Sequence, residues 1–329
     1  YAMRKLLLGT TALAAAATLS ANAALADVSI SGYYEWRYES RSSQVTASDG
    51  TKFATDSEIA MNFSNKTDSG LDISMKQEIL SDAGDTTVQE SSITISGGFG
   101  SVILGGDDGV NDRFAPAEVD LISEEMYNTS GTGTADTDHN LGIKTSDMAN
   151  LAGDSAKITY LLPAMNGLSL GVSHTNASAA GNADTTSIGA SYSMEAGGAS
   201  ILIGGATGTT ENSTQDIDSQ ALGIKVTSGD VSFVLAQSEY EASGDDEQAT
   251  GAAVKFQVND GMSLAVFTTD VEDDSSSEEY TNTGAEIVYS IASGLSAILT
   301  VEDYDYKVGT SGNTADSGTA SKLTIKATF

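Results

Sequence analysis

The sequence predicts an all-β protein, a 16-stranded antiparallel transmembrane β-barrel with an inward-folded third loop, and three observations support this. Apolar and polar residues alternate in sixteen short segments after residue 26, which is the period of a strand with one apolar and one wet face. Short turns and longer loops alternate between these segments, as they do in transmembrane β-barrels. One stretch, 105–156, breaks the alternation and is long enough to fold into the bore.

Composition excludes several classes of protein. A strong acidic excess, with 15 Lys+Arg against 46 Asp+Glu and a net charge of −31, excludes nucleic acid as a partner because phosphate binding needs a basic surface. Disorder is not expected, since 40% of the residues are hydrophobic and regularly spaced. Cysteine is absent, so there is no disulfide framework and no cysteine metal site.

Residues 1–26 have the pattern of a secretory signal peptide. The basic pair Arg4 and Lys5 precedes an apolar run and a small-x-small cleavage site that ends at Ala26, and two extra residues stand before Met3. We therefore expect an exported protein.

The rest of the chain, 27–329, is predicted to be one barrel domain. No stretch in it approaches the ~20 apolar residues that a spanning helix requires, so a membrane-spanning form has to be a closed barrel. Both prolines, Pro116 and Pro163, lie outside the predicted strands, as expected for residues that cannot donate to a strand ladder.

The first strand shows the pattern that the others repeat. Val28, Ile30, Tyr34, Trp36 and Tyr38 share one parity, and mostly polar residues take the other. Apolar residues at every second position mark the other fifteen strands, in chain order, at 59–63, 71–79, 93–95, 101–105, 158–162, 168–172, 188–194, 201–203, 222–226, 231–235, 254–258, 264–266, 287–291, 295–301 and 323–329.

The connections differ in length on the two sides of the barrel. Seven are short turns, which together with eight loops give an even strand count and place both termini on the periplasmic side. The longer connections are rich in acids, Ser and Thr, for example at 41–55, 207–216, 272–280 and 307–318.

A soluble β-barrel or sandwich is the alternative, because it also alternates, but with its apolar parity facing a core. Tyr, Trp and Phe near the strand ends favour the membrane, where aromatic residues lie at both interfaces. A single barrel of sixteen strands is also too wide for a packed apolar core. We therefore expect apolar side chains outside and charged side chains inside.

Basic residues of the strands all fall on the inner parity. A cation on the lipid face costs about 2–4 kcal/mol at the midplane, which is enough to explain their absence there. Strands one and sixteen adjoin at barrel closure and strand three is near, so Arg37, Lys76, Lys322 and Lys326 are expected to form a basic strip, unless they are merely solvated. The predicted basic pore wall consists of Arg37, Lys76, Lys157, Lys322 and Lys326.

The long loop, 105–156, carries the opposite charge. Pro116 and the acids after it are typical of a helix start, with Val119, Ile122 and Met126 on a face that docks on the inner wall. Acids that face a basic wall would form a constriction that selects ions by sign and size. The alternative is that the acids lie on a solvated surface loop. The predicted constriction acids are Asp107, Asp108, Asp112, Glu118, Asp120, Glu124 and Glu125.

Other chemistry finds little support in the sequence. Asp107, Asp108 and Asp112 offer oxygen ligands to Ca²⁺, but their spacing does not match the EF-hand pattern, and no other cofactor is expected. The only histidines, His139 and His174, are not placed for a hydrolase triad. We predict that the protein is not an enzyme.

Two blocks of sequence resemble the alphaproteobacterial general diffusion porins. Residues 93–109 are similar to the fourth strand, turn, fifth strand and loop entry of that family, and 157–173 to its sixth and seventh strands. The resemblance implies a trimeric, sixteen-stranded porin of the Gram-negative outer membrane whose third loop folds inward. It also implies that Phe329 is the C-terminal aromatic residue read by the barrel-insertion machinery. Ala164 departs from the family, which often has Arg there, so no role of that Arg is carried over.

The sequence thus predicts a passive outer-membrane channel for small hydrophilic solutes and ions, with weak cation selectivity. Its expected partners are two further copies in a homotrimer, outer-membrane lipid and lipopolysaccharide, the insertion machinery and the permeating solutes. The alternative is a structural or adhesive barrel that only displays acidic loops, and channel conductance distinguishes the two.

Overall fold

The chain closes into a single antiparallel barrel, as predicted. The computed structural model describes residues 27–44, 50–82, 85–123, 153, 155–176, 184–211, 216–243, 245–274, 277–307 and 315–329. Each strand pairs with its sequence neighbours, and the first pairs with the last, with Trp36 opposite Ile325. The sixteen strands are β1 Asp27–Ser43, β2 Gly50–Lys66, β3 Asp72–Asp82, β4 Asp85–Gly97, β5 Gly100–Gly106, β6 Ala156–Leu161, β7 Leu168–Thr175, β8 Asp184–Ala196, β9 Ala199–Glu211, β10 Asp216–Ser228, β11 Val231–Ala242, β12 Asp245–Asn259, β13 Met262–Asp273, β14 Glu278–Ala292, β15 Leu295–Lys307 and β16 Asp316–Thr328.

All sixteen strands lie at the predicted places, but many extend further at one end. Much of what was expected to be loop is paired strand: β9 continues to Glu211 and β10 begins at Asp216, with Thr209 opposite Asp218. Polar residues occupy both faces in these extensions, so hydrophobic periodicity does not reveal them. The backbone ladder continues nonetheless, because it depends on main-chain groups.

The two ends of the barrel differ. The short turns, the start of β1 and the end of β16 lie at what we call the short-turn end, and the other is the long-loop end. At the turn between β4 and β5, Gly100 has φ 104° and leaves no room for a Cβ, which would lie 2.1 Å from the carbonyl oxygen of Leu161. The turn between β6 and β7 uses Asn166 and Gly167, both with positive φ.

The two faces of the wall are inverted relative to a soluble protein. Outward apolar side chains such as Leu222 and Val266 are 61% and 56% exposed, whereas Glu35 and Lys322, which face the lumen, are 1% and 2% exposed. This inversion excludes the soluble alternative. No helix in the described part of the chain is long and apolar enough to cross a membrane.

Aromatic side chains mark both edges of the outer apolar surface. Near the short-turn end, Tyr192, Phe256 and Tyr289 are 45%, 44% and 55% exposed on the outer face. Near the long-loop end, Trp36 stacks on Phe53 with ring centroids 5.3 Å apart. Rings in these positions are typical of residues at the level of lipid headgroups.

We expect the outer face to tolerate a charge only near its edge. Val266→Arg, in the apolar surface of β13, should lower the free energy of unfolding by about 2–4 kcal/mol, and Asp270→Arg, on the same face near the long-loop end, by about 0–1 kcal/mol. Urea unfolding in lipid vesicles measures both values. Equal losses for the two variants would contradict the assignment of this face to lipid.

Candidate functional site inside the barrel

The described part of the third loop lies inside the barrel. After β5, residues 107–123, here called the inner segment, cross the lumenal face of the wall. A five-residue helix, α1 (Val110–Phe114), contacts β7, β8 and β9, and a 3₁₀ turn, Glu118–Leu121, contacts β11, β12 and β13. Val110, Phe114 and Leu121 are buried against the wall. The segment therefore occupies part of the bore.

Glycines on the inner parity allow the segment to lie directly on the wall. A Cβ at Gly204 would lie 1.8 Å from the carbonyl oxygen of Phe114, and one at Gly223 would lie 1.8 Å from that of Pro116. Both distances are far below van der Waals contact, so any side chain here displaces the loop or the wall. We call these residues, together with Gly251, the glycine row.

The local structure of the inner segment differs from the prediction. The α-helix precedes Pro116 instead of following it, because Ala115 before the proline is extended with φ −94° and ψ 106°. Between Pro116 and residue 123, where the described part of the segment ends, only the 3₁₀ turn forms, and the chain is extended again at Ile122. The predicted docking helix with Val119 on its face was therefore wrong.

The apolar contact that docks this part of the loop comes from Leu121, which sequence reasoning missed, and from Ile122. These two side chains pack on Val234, Ala253 and Phe267 of β11, β12 and β13. Met126, also placed on the predicted face, lies outside the described residues.

Asp107 holds the loop entry together. Its carboxylate accepts hydrogen bonds from Ser92 Oγ at 2.8 Å, from the Asp108 backbone N–H at 2.8 Å and from Arg113 Nη2 at 2.6 Å. Lys157 Nζ donates to the Asp107 carbonyl oxygen. Asp107 and Lys157, predicted on opposite sides of a constriction, are thus joined where the loop leaves β5.

The remaining predicted acids have different environments. Asp108 and Asp112 are half-buried, and Asp120 is exposed with its carboxylate 3.7 Å from Lys225 Nζ. Glu118 was expected to face the lumen, but it is 1% exposed and lies on the wall beside Gly251. Glu124 and Glu125 lie outside the described residues.

The predicted basic strip comes together, but wall acids accompany it. Arg37 Nη2 lies 2.5 Å from Glu35 Oε2 and 2.7 Å from Asp56 Oδ2. Lys326 Nζ lies 2.6 Å from Glu35 Oε1. Lys322, on the same strand as Lys326, is buried at 2% exposure. The bases of β1 and β16 thus share the carboxylate of Glu35 on β1, and Arg37 also contacts Asp56 on β2.

Lys76 extends this ionic cluster to β3 and β4. Its Nζ lies 2.7 Å from Glu78 Oε1 and 2.5 Å from Glu90 Oε2. Sequence reasoning missed the acids of the cluster, although Glu78 stands two residues from Lys76, as Glu35 does from Arg37. Charges two residues apart on a strand share a face, and that spacing was the available signal.

A calcium site does not fit the loop entry. Oxygen atoms of Glu90, Asp107 and Asp108 lie within 4.8 Å of one another, and Asp112 is not part of this group in the described residues. Lys76 and Arg113 already bring positive charge to Glu90 and Asp107, at 2.5 Å and 2.6 Å. Two of the three carboxylates are thus already in ion pairs, so we do not assign Ca²⁺ to this group.

Comparison with known proteins agrees with the geometry. The family described as Gram-negative porin matches residues 9–309. The anion-selective porin from Comamonas acidovorans has TM-score 0.66 and 16% identity, covering 92% of this chain and 100% of that chain. OmpT of Vibrio cholerae in trimer form has TM-score 0.66 and 13% identity, covering 92% and 99%. A mutant of Rh. blastica porin has TM-score 0.64 and 16% identity, covering 92% and 100%. No curated protein matches the chain in sequence.

Proposed function

The chain belongs to the Gram-negative porin family, and from this membership we propose a passive channel for small hydrophilic solutes and ions that weakly prefers cations. Members of this family are outer-membrane channels and not enzymes. The observation that carries the proposal is the inner segment, which lies across the lumenal wall of a closed barrel. A loop in this position narrows the path and sets the size limit for solutes. The alphaproteobacterial subgroup stays a prediction.

The charges of the pore wall support the preference for cations. Arg37 and Lys76 each contact two carboxylates, and Glu58 adds another acid to the same wall. The strip read as basic from the sequence therefore carries more acids than bases. One structural relative is an anion-selective porin, so the shared fold does not decide the sign of selectivity.

We assign different roles to the predicted site residues. Asp108, Asp112 and Asp120 are proposed to act on ions at the constriction, together with Glu124 and Glu125. Asp107 and Lys157 are proposed to fix the loop entry through the contacts described above. The proposed pore wall is the ionic cluster of Arg37, Lys76, Lys322 and Lys326 with its acids.

Planar bilayer recording tests the proposal. We expect stepwise ion-conducting channels and, under a KCl gradient, a reversal potential with the sign of weak cation preference. A reversal potential with the sign of strong anion preference would overturn the selectivity. Complete electrical silence of folded protein would favour the alternative of a barrel that only displays acidic loops.

We propose a homotrimer, since one structural relative is in trimer form. The expected result is a heat-sensitive band of three times the monomer mass on gels without boiling, and conductance steps in groups of three. A monomer in mild detergent with single conductance steps would contradict it. Lipopolysaccharide, outer-membrane lipid and the insertion machinery are further proposed partners.

We propose that residues 1–26 are removed on export, so the mature protein begins at Asp27. Mass spectrometry of protein from outer membranes should give an N-terminal peptide starting at Asp27. We also propose that Phe329 is read by the barrel-insertion machinery, since its backbone pairs with Gly32 and the residue is 83% exposed.

A further inference from the structure

Two buried carboxylates cross the seam between the inner segment and the wall in opposite directions. Glu118 extends from the loop towards β12 and β13, and Glu286 extends from β14 towards the loop. Each is 1% exposed. A carboxylate removed from water requires hydrogen-bond donors, so each needs the other side of the seam.

Glu286 binds the main chain of the loop. Both of its carboxylate oxygens accept from the Ser123 backbone N–H, at 2.9 Å for Oε1 and 3.0 Å for Oε2, and Thr300 Oγ1 lies 3.5 Å from Oε2. Ser123 follows Ile122, whose side chain packs on the wall. Glu286 thus holds the point where the described part of the loop ends.

Glu118 binds the wall. Its Oε1 accepts from Thr269 Oγ1 at 3.3 Å, and its side chain occupies the space that a Cβ on Gly251 would fill, 2.1 Å from Oε2. The wall therefore has a glycine at the point where this carboxylate enters. Valine or leucine at position 251 would exclude it.

We propose that Glu118 and Glu286 are positioning residues that clamp residues 118–123 on the wall and so set the size limit of the pore. This inference rests on the proposed role of the third loop as the constriction. The 3₁₀ turn has only four residues, too few to be stable as an isolated helix, so its position depends on contacts with the wall. Neither residue acts on the permeating ion in this role.

The first test removes the wall half of the clamp. In Glu286→Gln the charged acceptor is lost, and loss of a hydrogen bond to a charged group should lower the ratio of docked to undocked loop by about tenfold or more. We expect frequent transitions to higher conductance in single-channel records and faster liposome swelling with larger sugars. Glu286→Asp shortens the side chain but keeps the charge, and it should restore part of the docking.

Glu78→Gln is the matched control. Glu78 is also a buried lumenal carboxylate, at 9% exposure, and its ion-pair partner is Lys76 of the same strand. The substitution removes a charge of the same sign, and Glu78 has no described contact with the loop. It should shift ion preference but leave the channel noise and the size limit unchanged.

A disulfide lock gives a reversible rescue in a chain without cysteine. Glu118 Cγ, which a cysteine Sγ would replace, lies 3.0 Å from the position of a Cβ on Gly251. This is close to the spacing between one Cβ and the far sulfur of a disulfide. Glu118→Cys with Gly251→Cys, placed in the Glu286→Gln background and oxidised, should abolish the transitions, and a reducing agent should bring them back.

The outcomes separate the clamp from the proposed function. The clamp proposal would be overturned if Glu286→Gln and Glu78→Gln had the same channel noise and the same size limit. It would also be overturned if the transitions persisted in the oxidised lock. In both cases the protein would still be a conducting porin. Wild-type protein without any conductance would overturn the proposed function itself. Retained heat-sensitive migration on gels shows that each variant is folded.

Discussion

Replacing Gly223 by valine is expected to widen the channel. The new Cβ would lie 1.8 Å from the Pro116 carbonyl oxygen, where ordinary contact begins at 3.4 Å. The β10 backbone is fixed by hydrogen bonds to β9 and β11, so the loop is the part that moves. Overpacking of this kind costs about 1–3 kcal/mol, which shifts the balance towards an undocked loop by roughly tenfold or more.

Single-channel conductance and sugar permeability measure this effect. Both should rise in Gly223→Val, and the rise should be largest for sugars near the size limit of the wild-type channel. Gly98→Val is the control, because a Cβ there meets nothing within 4 Å and the residue lies in a turn far from the loop. A Gly223→Val channel with wild-type permeability would show that the glycine row does not determine the bore.

Neutralising the two acids beside Lys76 should weaken or reverse the preference for cations. Glu78→Gln with Glu90→Gln removes two negative charges from the wall and leaves the Lys76 ammonium without its ion-pair partners. A unit charge about 4 Å from an ion in water contributes ~1 kcal/mol, or roughly fivefold in local ion concentration before screening. The reversal potential in a KCl gradient should therefore move towards anion preference.

Two acids on the outer face provide the control for charge alone. Asp270 and Asp303 are exposed on the outward parity of β13 and β15. Salt screens charges beyond about 10 Å at 0.1 M, so Asp270→Asn with Asp303→Asn should leave the reversal potential unchanged. An equal shift in both double variants would mean that net charge, and not the wall of the pore, controls selectivity.

Sequence alone was sufficient for the wall of the barrel. Alternation such as that of Val28, Ile30 and Tyr34 indicates which face meets lipid, because each strand has a period of two and charged residues are costly on the lipid face away from its edges. Parity also placed Arg37 and Lys76 on the lumenal face. These inferences depend only on which residues alternate along each strand, and the sequence shows that directly.

The inner segment was harder to predict because its contacts join distant parts of the chain. Glu118 looks like any acid of an exposed loop until Gly251 and Thr269 are seen beside it. Ser123 meets Glu286 across 163 positions of sequence, and no periodicity signals that pairing. That acids lie on the same face as Lys76 could have been predicted from their spacing in the sequence. Which acid pairs with Lys76 could not, because this depends on the register between β3 and β4.

The pairing of β1 with β16 has a consequence for biogenesis. Gly32 exchanges main-chain hydrogen bonds with Phe329, and β1 pairs with β16, so the barrel closes only when β16 is in place. Until the C-terminal strand arrives, β1 and β15 present open edges that can template pairing with other unfinished chains. A polypeptide truncated before Asp316 would lack β16 and is expected to remain an unclosed sheet with both of these edges open.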